Sequence, residues 1–583
     1  MERAAHVARL DLPAELLRDV ETFACLEGIL LDFAETQALQ GQFQSAHDLA
    51  AKRRTGFWSL VDGETQLRWT ILETASALLL VAQRIREELK AAGRDVAALV
   101  QRYTQGTAEE GGERVPWSLL DRYQRHLELR YAMLEQDLSG AHNRLAAVVR
   151  KARQAYFDVA QQGAEQFGEA LEKVGFQPAG VLAQRNVFQR CVHPLLGNGK
   201  TAYVLVDALR YEMAEELIAG LGEGFDVQLR PALVQLPSIT EVGMAALLPG
   251  ADKGMELVDA GGGRVAVRIG RALLKDRSSR IRHFQQAIGR QVAVLKLNDL
   301  IRVTRRREEI EAAEVILVTS QEIDRRGEEA ADEEEARRFM AEVLEKVRRG
   351  IRQLARLGVK HVVLTADHGH IFVDDLDDGM KVDAPGGQTI DLHPRVWMGR
   401  GGAAHPRHLR TSARQLGLHG DLELAFPRGL ACFRTPGGGS GYFHGGISFQ
   451  EAIVPVAVIH VAAPVVQGRD TASVELTMAK PKVTTRFFSV QATYKVSGLF
   501  GEESCRVRVL VKSERKEVGM AAMAAYGFEE GTQEIVLQRD RPNAITMMLT
   551  EEMRQGALSV HVVDATSQVE LASLTSIPVE ISI

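Results

Sequence analysis

The run Val362-Val363-Leu364-Thr365 ends in Ala366-Asp367-His368-Gly369-His370, an acid and two imidazoles set around a glycine. Two other apolar runs end in acids. Tyr203-Val204-Leu205-Val206 leads into Asp207, and Val315-Ile316-Leu317-Val318-Thr319 leads, after a short turn, into Asp324 and Glu328. His444 stands in Tyr442-Phe443-His444-Gly445-Gly446, where glycines let the backbone approach a site closely. Together Asp207, Asp324, Glu328, Asp367, His368 and His444 offer mixed oxygen and nitrogen donors for two divalent ions. Such a set suits zinc or manganese better than calcium. Two ions about 4 Å apart clamp the attacking and leaving oxygens of an in-line phosphoryl displacement. Ser238 and Thr240 precede a short small-residue stretch read as a helix. Either hydroxyl serves as its N-cap, or one is a nucleophile whose target phosphate faces the positive end of the helix. A metal would acidify the Thr240 hydroxyl, which is otherwise a weak nucleophile.

These groups converge only if the strands that carry them run parallel. Helices expected over 211–221, 242–248 and 333–357 alternate with the apolar runs, Val227 to Leu229 and Ile453 to Val458 included. That alternation predicts a central α/β domain, residues 196–463, with a doubly wound parallel sheet and right-handed crossovers. Ligands then bind beyond the carboxyl ends of the strands. Asp324 and Glu328 are four residues apart, so one helical turn puts both on one face. Residues 251–311 read as an irregular, basic insert with Arg264, Arg268, Arg271, Arg277, Arg280 and Arg282. Such a run is either a solvated face or a cap over a phosphate-bearing substrate. Residues 380–440 read as loop-rich, and the acidic stretch 374–379 as a solvated turn, since it lacks the ligand alternation of a calcium loop.

The flanks carry no visible chemistry. Residues 1–195 show apolar positions at helical spacing, such as Leu119, Tyr123, Leu127, Tyr131 and Leu134, which predicts an α-helical bundle with Trp58, Trp69 and Trp117 packed. A docking surface for another protein is the functional alternative for that region. Residues 464–583 turn to short alternating strands, which predicts a small β-sandwich. A net charge of −6 argues against a generally basic nucleic-acid coat, though not against a local patch. Cys25, Cys191, Cys432 and Cys505 lie far apart without CxxC spacing, which suggests reduced thiols and argues against a thiolate zinc site. The charged start and the absence of a long apolar window predict a cytoplasmic protein without a membrane segment.

The ordered motifs Val206-Asp207-Ala208-Leu209-Arg210, Ser238-Ile239-Thr240, Gln321-Glu322-Ile323-Asp324 and Ala366-Asp367-His368-Gly369 are followed by His444-Gly445-Gly446-Ile447-Ser448-Phe449-Gln450-Glu451-Ala452-Ile453-Val454-Pro455. Over about residues 200–460 this series resembles the PglZ family, a branch of the alkaline phosphatase superfamily. The resemblance implies that Asp207, Thr240, Asp367 and His368 hold one metal, with Thr240 as nucleophile, and that Asp324, Glu328 and His444 hold the second. Related phosphodiesterases carry histidine where Glu328 stands, and the harder oxygen here shifts the expected preference towards manganese. His370 has no counterpart role. The resemblance also implies a place in a BREX (bacteriophage exclusion) defence system, beside a DNA methyltransferase and ATPases. The expected activity is that of a metal-dependent phosphodiesterase acting on nucleotides or nucleic acid. The rivals are a phosphomutase and a metal-bound scaffold with little turnover.

Overall fold

Apolar β-branched runs flanked by amphipathic helices bury best as the middle of a layered sheet. In the computed structural model, which describes residues 17–20, 22–106, 114–135, 143–222, 224–301, 307–329, 333–373, 378–435, 441–462, 472–496, 504–514, 516–529, 533–550, 553, 555–565 and 570–581, seven strands form that sheet. They are β1 (Leu182–Ala183), β2 (Thr201–Val206), β3 (Phe225–Leu233), β4 (Val292–Lys296), β5 (Val315–Ser320), β6 (His361–Thr365) and β7 (Ile453–Val461). Their order is β1-β3-β7-β6-β2-β5-β4. β6, β2, β5 and β4 are adjacent and parallel, with Val204 facing Leu364 on one side and Val318 on the other. Every residue of β2 is buried, as a strand with neighbours on both edges requires.

The sheet is mixed, which corrects the all-parallel expectation. β7 runs antiparallel to both β3 and β6. The cause is its approach: β7 follows directly on the short helix Phe449–Ala452, so it starts at the edge where the parallel strands end. Three helices matter for the site: α1 (Tyr211–Ala219), α2 (Thr240–Ala246) and α3 (Glu322–Glu329).

Two stretches read as irregular are ordered. The 251–311 insert holds a three-stranded antiparallel sheet (Glu256–Asp259, Val265–Ile269, Ala272–Leu274), the helix Arg277–Ile288 and β4, which extends the central sheet. Within 380–440, strands Gln388–His393, Val396–Arg400, His408–Ser412 and Glu423–Pro427 form a four-stranded sheet on the buried Trp397. Strands this short carry little local signal, and what fixes them is pairing with their neighbours. The stretches 107–113, 374–377 and 436–440, read as loops or turns, lie outside the described residues, as do Arg302, Arg305 and Arg306.

The chain divides into two compact units, one of residues 1–80, 123–155 and 466–583, the other of 81–122 and 156–465. The N-terminal helices are therefore shared out rather than forming a unit of their own. In the first unit nine strands form one hydrogen-bonded set around a core that includes Val507, Val509, Ile535, Ile545 and Val560. Trp69 and Trp117 are buried, and Trp58 is half-buried. The four cysteines are free. No helix among the described residues is long and apolar enough to cross a membrane.

Candidate metal centre

Five chain segments deliver polar groups to one edge of the central sheet. β2 ends at Asp207, β6 runs out to Asp367 and His368, and β5 leads into α3 with Asp324 and Glu328. β3 leads to Thr240, the first residue of α2, and the chain before β7 brings His444. Neither candidate hydroxyl caps α2, whose N-cap position is Ile239. Ser238 Oγ donates instead to the Gly446 carbonyl at 2.8 Å, and Ser238 bridges to Gly445, which ties the α2 turn to the His444 loop.

Two groups of donors result. In the first, His368 Nε2 lies 3.6 Å from Asp207 Oδ1, 3.5 Å from Asp367 Oδ2 and 3.1 Å from Thr240 Oγ1. In the second, His444 Nε2 lies 3.5 Å from Asp324 Oδ1 and 3.7 Å from Glu328 Oε1. The His368 and His444 rings stack at 4.2 Å and join the groups. Asp207, Asp367 and His368 cluster closely enough to share one ion, as do Asp324, His368 and His444. Glu328 stands outside both of these clusters, with a side chain 59% exposed against 1% for Asp207.

The electrostatics ask for positive charge. Burial pushes the Asp207 carboxyl well above the usual carboxylate range, and the charges of Asp367 and Asp324 push it further. Burial also raises Asp367, although His368 pulls it back. Asp207 Oδ1 and Asp367 Oδ2 are buried without a hydrogen-bond partner, and both face His368. Bare buried carboxylate oxygens are costly unless a cation meets them, so this donor set fits a divalent ion. In the second group burial pulls His444 down, but the nearby carboxylates of Glu328 and Asp324 prevail and raise it to about 9. The Glu328 carboxyl is held below its usual range by the same His444.

Residues 187–459 match the family described as the BREX system PglZ alkaline phosphatase-like domain. That match covers just under half of the chain. It is 29% identical over 304 residues to the alkaline phosphatase-like protein BrxZ of Escherichia coli O9:H4 (strain HS), across 49% of this chain and 33% of that protein. It is 28% identical over 291 residues to the alkaline phosphatase-like protein PglZ of Bacillus cereus (strain H3081.97), across 48% of this chain and 33% of that one. The matched stretch thus spans about a third of each relative's length.

The supports of the candidate centre were less visible in the sequence than its donors. Ala208 adopts φ 60°, a strained value for a residue with a side chain. That turn lets its N–H donate to Asp367 Oδ1 at 3.1 Å and its carbonyl meet His370 Nδ1 at 2.9 Å. His370 is thus a buried prop for the Asp207 turn. Gln184 Nε2 donates to the carbonyls of Ala366 and Asp367, at 2.9 and 2.7 Å, while its Oε1 accepts from Gln235 N. It links the Asp367 turn to the segment that leads to Thr240. Tyr442 Oη donates to Asp324 Oδ1 at 3.1 Å. The Tyr442 ring lies over Gly327, where an added Cβ would come within 2.4 Å of it. A glycine inside α3 was the available signal for that approach.

The motif after His444 is explained by one buried ion pair. Arg395 Nη2 donates to Glu451 Oε2 at 2.8 Å, and Gly446 N donates to Glu451 Oε1 at 2.8 Å. Arg395 Nη1 and Nη2 also donate to the Ala431 and Gly429 carbonyls. Phe449 stacks on Tyr103 at 5.0 Å and Phe167 at 4.5 Å, and Gln450 Nε2 donates to the buried Asp121 at 2.8 Å. The helices of residues 81–122 and 156–195 therefore brace this loop within their own unit.

Proposed function

We propose that the chain is a metal-dependent phosphohydrolase that works through Thr240, with phosphodiesters of nucleotides or nucleic acid as substrates. The observation that carries this reading is the Thr240 hydroxyl beside His368, next to two buried carboxylate oxygens without partners. Asp207, Asp367, His368 and Thr240 would hold one divalent ion, zinc or manganese, and Asp324, His444 and Glu328 a second. Ions bound there would offset charge on the phosphoryl oxygens and lower the proton affinity of the Thr240 hydroxyl. Thr240 Oγ bonds to phosphorus as the bond to the leaving oxygen breaks, and a water then breaks the Oγ–P bond and restores the threonine. The backbone of α2 fixes the hydroxyl, since a Cβ at Gly243 would come within 2.3 Å of the Asp367 carbonyl. The open side at Glu328 leaves room for a substituted phosphate and speaks against the enclosed site of a phosphomutase.

The basic insert bears on the substrate. Arg277 Nη2 is tied to Thr319 Oγ1 at 2.9 Å. Arg280, one turn along the same helix, is half-buried, and its charge acts on Asp207. That placement suits a cation that meets substrate phosphate. The description of the matched family supports a role in a BREX-type defence system; a DNA methyltransferase and an ATPase as partners rest on the resemblance of the motifs alone.

The test is hydrolysis of bis-p-nitrophenyl phosphate and p-nitrophenyl phosphate with zinc or manganese. Turnover of the diester should exceed that of the monoester and fall about a thousandfold in Thr240→Ala. Metal binding without turnover in the wild type would sink the enzyme reading and favour a scaffold.

A further inference from the structure

A second cavity, of about 520 Å³, lies outside the metal centre, walled by residues 176–186 and by β1 and β3. Its size is that of a small-molecule site. Three arginines line it, Arg185, Arg190 and Arg230, and among the described residues no acidic one does, in a chain whose net charge is −6. Arg185 is anchored: Nη1 donates to the Gly417 carbonyl at 2.9 Å and Nη2 to Gln177 Oε1 at 3.3 Å. Arg190 and Arg230 are exposed and have no ion-pair partner among the described residues. They come from different elements, the helical turn before β2 and the strand β3. Both line this one cavity.

We infer that this cavity is a second anion site, which takes a phosphate-bearing ligand of nucleotide size on Arg190 and Arg230. Two guanidinium forks from separate elements match the oxygens of a polyphosphate bidentately. Asn186, also in the lining, offers a neutral amide donor. Gln184 also lines the cavity, so the ligand sits one side chain away from the turn of Asp367. Such a site is independent of turnover at Thr240, and none of the metal donors lines it.

The experiment is calorimetric titration of the whole chain with ATP, and separately with inorganic phosphate, in the presence of EDTA. EDTA removes the metal ions that would hold a phosphate at the Thr240 centre, so heat reports the arginine cavity. ATP should bind with Kd of about 1 mM or tighter, more tightly than phosphate, and equally in Thr240→Ala. The double variant Arg190→Gln/Arg230→Gln should weaken ATP at least about tenfold, because two charge-assisted contacts are lost. Both arginines are exposed, so its unliganded melting temperature should match the wild type and separate lost binding from lost folding. Absence of ATP binding in the wild type, or binding undiminished in the double variant, overturns the site.

Discussion

The two halves of the metal centre are built on opposite terms. Asp207, Asp367 and His368 are shut off from solvent, with two carboxylate oxygens left bare. Asp324 and His444 are partly open, and Glu328 is largely exposed. In the first half, burial makes a cation almost a condition of ionisation. In the second, a protonated His444 between Asp324 and Glu328 already balances the charge. The difference teaches that one half would demand an ion, whereas the other would exchange a proton for one.

The largest effect should come from unequal damage to the halves. Asp207→Asn should remove about one equivalent of bound metal and abolish hydrolysis, whereas Glu328→Gln should keep the first ion and part of the activity. Metal analysis of both variants decides this, and equal losses would break the comparison. Asp207→Asn should also melt higher than the wild type in EDTA at pH 8. The folded carboxyl binds its proton more tightly than the unfolded one does. Its contribution is therefore full below an unfolded value of about 3.9 and is lost as pH rises, while the amide variant loses nothing.

A smaller effect concerns the proton in the second half. His444, raised to about 9 without metal, keeps its ion pair at low pH and loses it as pH rises through that value. Affinity for the second equivalent should climb between pH 6 and 9, with proton release on binding, in calorimetry with buffers of different ionisation heat. A second ion that binds without pH dependence would remove this half's distinction. The smallest effect is expected from Tyr442→Phe, which leaves the ring on Gly327 and deletes one hydrogen bond to Asp324. Loss of such an outer contact costs about 10–100-fold in metal affinity or activity, and here it should fall on the second ion alone.

Much of the centre could be read in the chain because strand ends announce themselves. Apolar runs that stop at Asp207 and Asp367, and a turn that supplies Asp324 and Glu328, carry a local pattern that survives without tertiary information. The braces do not. Gln184 reads as any polar residue before the first long strand, yet it holds two carbonyls of the Asp367 turn from far along the chain. Arg395 and Glu451 are charged residues whose burial depends on each other. The strands of 388–427 were missed for the same reason, since their partners rather than their composition make them strands.

The sequence by itself determined which side chains could meet a metal and the order in which the chain supplies them, because ligand chemistry and strand-end position are local properties. Only the tertiary structure decided that β7 runs against its neighbours, so that the His444 loop and the four parallel strands open at one edge. It also decided which acids lose water and which keep it. Burial is a property of everything packed around a group, and that is why Asp207 and Glu328, both acids after a strand, end in such different surroundings.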